Sequence, residues 1–506
     1  MTQTDNNRLK VLRTNVAAVR AIVETVAGTL GPKGLDVLLT DEAGRITVTN
    51  DGVEILSQLD AQHPAARLVI EAASAQDRAV GDGTTTATVL AGALLDAALA
   101  WVEQGVSVNP LLAGMRLGVR TAIEALREQA RPIESVEDTR VLQVARIAAR
   151  EDDSIAQVVW EAACRIGRER LLEGDLRLGD LVLSQTGTQN QWIDGVLIAK
   201  RPLTLPTEGW QRSGAILVLT DNLAPEDLDP QILATESGFG RFLQTQEKLR
   251  SDLQVLVQEG VVLVVCEKAI APLAEEFIAE AGILALQRVL TRDTQRVLSF
   301  TGAEPARQAM LNQSHRLTSR LGKATVRYDR EHSRVILSEG AGSPLATILV
   351  GAVSVDVAAE RERIAIDACG ALQAALKDGV VTGGGVAELI CRRNILSLAS
   401  QTEGLNRYGL EVVATALRRP IEQIVANSGY SALERVAALE AAHQRTGNFR
   451  LGIHCESGEA IDLEQAGVID PVAVKIHALQ AAAEIAERIL RIQTIVRRRE
   501  VVEQIP

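Results

Sequence analysis

The segment Gly81-Asp82-Gly83-Thr84-Thr85-Thr86-Ala87 runs straight into an apolar, helix-patterned stretch from Thr88 to Glu103. Glycines let the backbone approach a ligand closely, first-turn N–H groups of a helix lack intrahelical partners, and three adjacent hydroxyls add donors. Such a segment suits phosphate groups. No lysine follows the glycines, so this is not a Walker A loop, and the phosphate charge asks for a metal. Asp82 is placed to hold one, and Mg²⁺ is the usual choice where a carboxylate and phosphates share a site. The bland alternative is an Asp or Thr helix cap.

Three more loops have chemistry-bearing residue types. Thr29-Leu30-Gly31-Pro32-Lys33-Gly34 is Gly- and Pro-rich, Thr49-Asn50-Asp51-Gly52 closes the strand-like run Arg45 to Val48, and Gly383-Gly384-Gly385 follows the helix that contains Asp367. Taken singly they read as turns and a flexible connector. The histidines form no H-x-x-x-H or H-E-x-x-H pair and no G-x-S-x-G elbow is present, so zinc-enzyme and serine-hydrolase chemistry has no foothold. Cys164, Cys266, Cys369, Cys391 and Cys455 form no C-x-x-C, which excludes local zinc knuckles and redox pairs and fits a reducing, cytoplasmic setting.

The elements that must position these loops fall into two kinds. Leu9 to about Arg131 is mostly helical, interrupted from Thr29 to Gly52 by Gly, Pro and β-branched residues. From Asp180 to about Leu311 the pattern is α/β: short buried strands at Ala215 to Leu219, Val261 to Val265 and Leu284 to Val289, with a proline-opened helix from Pro272 to Ala281. Helical patterning returns at Asp356 to Lys377, Tyr408 to Asn427 and Pro471 to Arg499, the last with Asp470 as N-cap and Arg497 to Arg499 at its C-terminus. The helical flanks are either separate domains or one domain interrupted by the α/β unit.

Composition removes other classes. The chain has 506 residues, room for about three domains, and 46% apolar content is ample for their cores. Fifty-three Lys and Arg stand against 65 Asp and Glu, a net charge of −12 with no basic block, and Phe, Trp and Tyr number only 5, 4 and 3. Phosphate-backbone binding and base stacking both lack their residues, so no nucleic-acid partner is expected. Lys10, Arg13, Arg20 and Glu24 break the N-terminal apolar stretches, and Val89 to Val102 is short and carries Asp96. No membrane span or export signal is expected.

Together the motifs T-L-G-P-K-G at 29 to 34, T-N-D-G at 49 to 52, G-D-G-T-T-T-A at 81 to 87, I-D-A around Asp367, G-G-G at 383 to 385 and D-P-V-A-V-K at 470 to 475 resemble the chaperonin family in order and spacing over nearly the whole chain. The resemblance implies a multidomain α and α/β fold. A mostly helical equatorial ATP-binding domain is made of residues 1–131 and 378–506, an intermediate hinge of 132–187 and 345–377, and an α/β apical domain of 188–344 with a helical protrusion. His63-Pro64-Ala65-Ala66, Asn50, Ile193-Asp194-Gly195-Val196 and Val474-Lys475 are similar to the group II, thermosome-like branch, as is Phe242 to Leu256, which resembles the helix of a built-in lid. Asp470 where that branch usually has glutamate, and Gln493 where it usually has aspartate, point to a bacterial, group II-like chaperonin of the kind called group III.

The family's roles carry over onto matching positions. The resemblance implies that Thr29, Leu30, Gly31 and Pro32, with Asn50, Asp82, Gly83, Thr84, Thr85 and Thr86, cradle the ATP phosphates and Mg²⁺, with Asp82 as the metal ligand. Gly384 and Asp470 fall at adenine and ribose, and His454, Cys455 and Glu456 line the base. Asp51 and Asp367 match the carboxylates that position the attacking water. Because Asp367 belongs to the hinge, hydrolysis is expected to need closure. Two departures stand out: Thr382 before G-G-G, and Arg150 and Glu151 within the nucleotide-sensing segment Arg146 to Asp153.

The implied function is an ATP-driven chaperonin that encloses unfolded proteins in a double ring of identical subunits, without a separate co-chaperonin cap. A structural or regulatory ring that has lost folding activity is the alternative, weakened by the retention of Asp51, Asp82 and Asp367. A metabolic phosphotransferase is a third reading, for which the apical segment offers no small-substrate pocket. The polar stretch Asp221 to Arg241, carrying Ile232, Leu233 and Phe239, is expected to form the lid tip.

Overall fold

The computed structural model describes residues 3–40, 44, 46–206, 209–225 and 236–494. The chain divides into two units, residues 1–160 with 359–506 and residues 161–358, so both chain ends contribute to one body and the second is an insertion.

The first unit is built around the Thr84–Glu103 helix, which buries Leu90, Ala91, Leu94, Leu95 and Ala98. The helices Gln3–Ala27, Asn406–Ala416 and Val472–Leu490 pack against it. By length and composition this helix could cross a membrane, but half of its most apolar window is buried inside the protein. Helix Val108–Gln129 meets Asn406–Ala416 with backbones nearly touching: a Cβ on Gly114 would come within 1.9 Å of the Asn406 carbonyl oxygen, and one on Gly409 within 2.2 Å of that of Leu111. Only glycine permits that approach.

Small antiparallel pairs decorate this helical body. Val37–Thr40 pairs with Ile46–Thr49, Val380–Thr382 with Ile469–Pro471, and Leu451–Ile453 with Ala460–Asp462. The second unit contains a six-stranded sheet whose spatial order is Val196–Ile198, Arg334–Ser338, Gly322–Asp329, Gln211–Leu219, Val261–Cys266 and Leu284–Leu286. The last three strands run parallel, each fully buried in its apolar run, and helices Glu236–Gln258 and Pro272–Glu280 cover them. A three-stranded sheet of Val182–Thr186, Ala346–Ala352 and Gln191–Asp194 completes the unit.

Several expected boundaries move. The strand expected to reach Val289 stops at Leu286, and Arg288 adopts φ 51°, which turns the chain out of the sheet. Tyr408 to Asn427 is two helices, Asn406–Ala416 and Arg419–Asn427, with Pro420 in the first turn of the second. The expected N-cap at Asp470 is wrong. Asp470 lies in a strand opposite Val381, Pro471 is the cap residue, and the helix runs from Val472 to Leu490. Arg497 to Arg499, Ile232 and Leu233 lie outside the described residues. The helix expected at Phe242 to Leu256 begins earlier, at Glu236.

Candidate active site

The residue that precedes the Thr84–Glu103 helix is Gly83, at φ 81°, and neither Asp82 nor a threonine caps it. Without a side-chain cap the first-turn N–H groups meet the condition for holding an anion. The Asp82 carboxylate instead accepts from the Gly83 N–H at 2.5 Å, while Gln76 Nε2 donates to the Asp82 carbonyl at 3.1 Å. The T-N-D-G turn lies directly on the threonine run, since a Cβ on Gly52 would reach within 2.6 Å of Thr85 Oγ1. Thr84 is buried, and Thr85 and Thr86 are half-buried.

Asp51 caps the Gly52–Gln58 helix, accepting from the N–H groups of Val53 at 3.1 Å and Glu54 at 3.2 Å. That double bond fixes the carboxylate beside the helix positive end. Asp367 sits on the Val355–Asp378 helix, whose Gly370 lies where a Cβ on Gly81 would come within 3.8 Å. Asp82 feels the charge of Asp51 and Asp470, and Asp367 that of Asp51 and Asp82, which places the four carboxylates near one another. Burial, opposed by the Gly83 N–H and reinforced by Asp470, pushes the Asp82 carboxyl up to about 6. Burial likewise holds Asp367 well above the usual carboxylate range, with Arg363 opposing and Asp51 reinforcing.

The raised Asp82 group makes a prediction about the nucleotide-free protein. Its folded pKa of about 6 exceeds the ordinary 3.8, so the folded state takes up the proton first. The stabilisation this gives is full below about pH 4 and lost as pH rises through about 6, a swing of at most about 3 kcal/mol. Asp82→Asn should therefore gain melting temperature relative to the parent between pH 5 and pH 7.5. An equal offset at both pH values would remove Asp82 as the source.

Asp470 is held by Lys475, whose Nζ lies 2.8 Å from Asp470 Oδ2 and 2.9 Å from Glu388 Oε1. Burial disfavours the Lys475 charge, but Asp470 and Glu388 outweigh it and keep the ammonium charged above its ordinary pKa. Gly383 leaves room for this carboxylate, because a Cβ there would meet its atoms at 3.1 Å, and Gly384, at φ 64°, packs on Leu463.

The remaining expected residues form a second group, held together by contacts of their own. The Thr29 hydroxyl donates to the Val26 carbonyl at 2.9 Å, Asn427 Nδ2 donates to the Leu30 carbonyl at 2.8 Å, and Gly31 takes φ 88° with Pro32 exposed beside it. Lys33 pairs with Glu456, bringing this loop against the hairpin turn that holds His454 and Cys455. His454 is exposed with Nδ1 3.0 Å from Ser457 Oγ, and Tyr430 donates to the Glu456 carbonyl at 2.6 Å. These contacts join the hairpin turn to the Gly31 loop, and the acidic cluster is joined through Gly52, Gly81 and Lys475.

Sequence reasoning passed over Arg363 and Glu388. Arg363 pairs with Asp51 and lies 4.0 Å from Asp367 Oδ2, and its four-residue spacing from Asp367 was the available signal. Arg150 and Glu151, noted as unusual, adopt φ 55° and 64°, a left-handed pair without glycine. Ion pairs hold it: Arg150 to Glu360 at 2.7 Å and Asp152 to Arg361 at 3.0 Å. Asn50 Oδ1 is buried with no hydrogen-bond partner.

Comparison with known proteins shows the family of the chain. A family model described as the TCP-1/cpn60 chaperonin family matches residues 22–500. The chain belongs to that family. A thermosome subunit of Methanopyrus kandleri is 33% identical, covering 96% of this chain and 92% of its own length. The thermosome subunit alpha of Archaeoglobus fulgidus is 32% identical, with 96% and 91% covered. A crystal structure of a group III chaperonin in the open state superposes with a TM-score of 0.89 at 40% identity, covering 97% of this chain and 99% of that one, in line with the group III likeness of the sequence. This chaperonin subunit has the family's activity: it binds and hydrolyses ATP, binds unfolded proteins and assembles into rings.

Proposed function

We propose that the acidic cluster of the first unit is the centre where ATP is cleaved, and that its cycle drives enclosure and folding of client proteins in a double ring of identical subunits. The observation that carries this is the gathering of Asp51, Asp82, Asp367 and Asp470, from four distant segments, around an uncapped helix start. Thr29 to Pro32 and Asp82 to Thr86 hold the phosphates, Gly384 and Asp470 take adenine and ribose, and His454, Cys455 and Glu456 border the base.

The residues fit a bound Mg²⁺. Asp82 is a carboxylate short of positive charge, and Asn50 Oδ1 is a buried acceptor without a donor. When bound, the cation neutralises phosphate charge. The chain's own part is positioning: Asp51 and Asp367 orient a water toward the terminal phosphate, which phosphoryl transfer needs more than a covalent nucleophile.

Residues 132–187 and 345–377 act as the hinge between an ATP-binding part and a client-binding part, residues 188–344. The ring works in the cytoplasm, with its own lid and neither nucleic acid nor membrane as partner. Refolding of a chemically denatured model protein tests the reading. Yield should rise only with ATP and Mg²⁺ together and fall to the spontaneous level with EDTA. ATP hydrolysis without any gain in yield would favour the regulatory ring instead.

A further inference from the structure

Arg363 stands one helical turn before Asp367, so both side chains leave the same face of the Val355–Asp378 helix. Its guanidinium pairs with Asp51, lies 4.0 Å from Asp367 Oδ2 and 3.8 Å from Glu54 Oε2, and donates from Nη2 to Glu360 Oε2 at 2.6 Å and to Thr49 Oγ1 at 3.3 Å. An arginine serving only its own helix needs one partner such as Glu360. Here three of the five contacts, to Thr49, Asp51 and Glu54, reach the T-N-D-G turn and the helix that follows it, more than 300 residues away in sequence.

We infer that Arg363 is a positioning residue for ATP hydrolysis, a rigid fork that fixes the Asp51 and Asp367 carboxylates relative to each other across two segments of the chain. The inference rests on the assignment of those two aspartates as the pair that orients water. Arg363 acts through them and binds no phosphate: its charge is already opposed by Asp51, Glu360 and Asp367, which hold it above its ordinary pKa despite burial. A planar guanidinium suits the task because its donors keep a fixed geometry, whereas a lysine supplies only a point charge. Without it Asp51 also faces Asp367 unopposed, and that charge makes Asp367 harder to ionise in a half-buried site.

The test is steady-state ATPase activity and ADP binding on assembled, full-length Arg363→Gln and Arg363→Lys, with Asp367→Ala in parallel. Misplacement of a reacting group by about 1 Å costs about 100-fold. Arg363→Gln should accordingly lose about 100-fold in kcat with KM for ATP and ADP affinity within about threefold, and Arg363→Lys should recover about tenfold of that loss. A kcat within threefold of the parent overturns the inference, and so does a parallel loss of ADP affinity, which would make Arg363 a phosphate ligand. If Arg363→Gln does not assemble, Arg363→Lys decides alone: lowered kcat at unchanged KM supports the inference, and parental kcat overturns it. Asp367→Ala separates the two levels. An active Asp367→Ala removes the water-orienting pair itself, whereas an inactive Asp367→Ala beside a fully active Arg363→Gln removes only the role of Arg363.

Discussion

Asp367→Ala should lower ATP turnover by a factor of about 100 to 10,000 while ATP binding stays within a few fold of the parent. The asymmetry follows from charge. Asp367 is a carboxyl group whose ionisation burial, Asp51 and Asp82 all disfavour, in a place meant for anionic phosphates, so its loss takes no attraction from ATP in the ground state. What it gives is orientation of a water, and that contribution exists only as the new bond to phosphorus forms. Mixing enzyme in excess with ATP and following one turnover measures the chemical step directly. A mutant that cleaves ATP at nearly the parental rate would take Asp367 out of the mechanism, and a mutant that no longer binds ATP would show that the residue holds the fold of the site. Asp367→Asn provides the control for shape, because it keeps the volume and loses the charge.

The sequence reveals this site unevenly, and the reason is physical. Gly83, Gly384 and Gly31 were legible because each adopts a positive φ that other residues avoid, so a glycine-bearing loop beside a helix start announces itself locally. Buried strands such as Val261–Cys266 were equally plain, as uninterrupted, valine-rich apolar runs. Asp470 was misread for the opposite reason. Asp-Pro before a helix carries every local mark of a cap, but pairing of Ile469–Pro471 with Val380–Thr382 and the pull of Lys475 place the aspartate in a strand. Arg363 shows in the sequence only as a cation four residues before Asp367, because its decisive partners, Thr49, Asp51 and Glu54, become neighbours only through the fold. Local rules find the glycine-bearing loops, and tertiary structure reveals which cations hold the carboxylates in place.

Replacing Leu233 to Gln244 with a short Gly-Ser linker should leave ATPase activity intact and abolish protection of an enclosed client from protease. The Glu236–Gln258 helix shows why the cut is tolerable. Its buried stripe, Leu249, Leu253 and Leu256, lies in the second half and docks on the sheet of the second unit. Among the described residues the first half adds no side chain to that core: Arg241, Leu243 and Gln244 are exposed, with Leu243 49% accessible. Leu243 is an exposed leucine on the first half of an anchored helix, and Ile232 and Leu233 precede it in the sequence, so the replaced segment is the one expected to offer apolar side chains to a neighbouring subunit. Removing it spares Leu249 to Leu256 and every residue of the acidic cluster, so hydrolysis has no reason to fall. Closure does, because the surfaces that would meet over the chamber are gone. The measurement is survival of a labelled client during ATP cycling with protease added outside, compared between parent and deletion. Rapid digestion in the deletion and survival in the parent would mean that the subunit carries its own lid. If the parent itself shields no client until a second protein is supplied, the lid is not built in and a separate cap protein closes the ring.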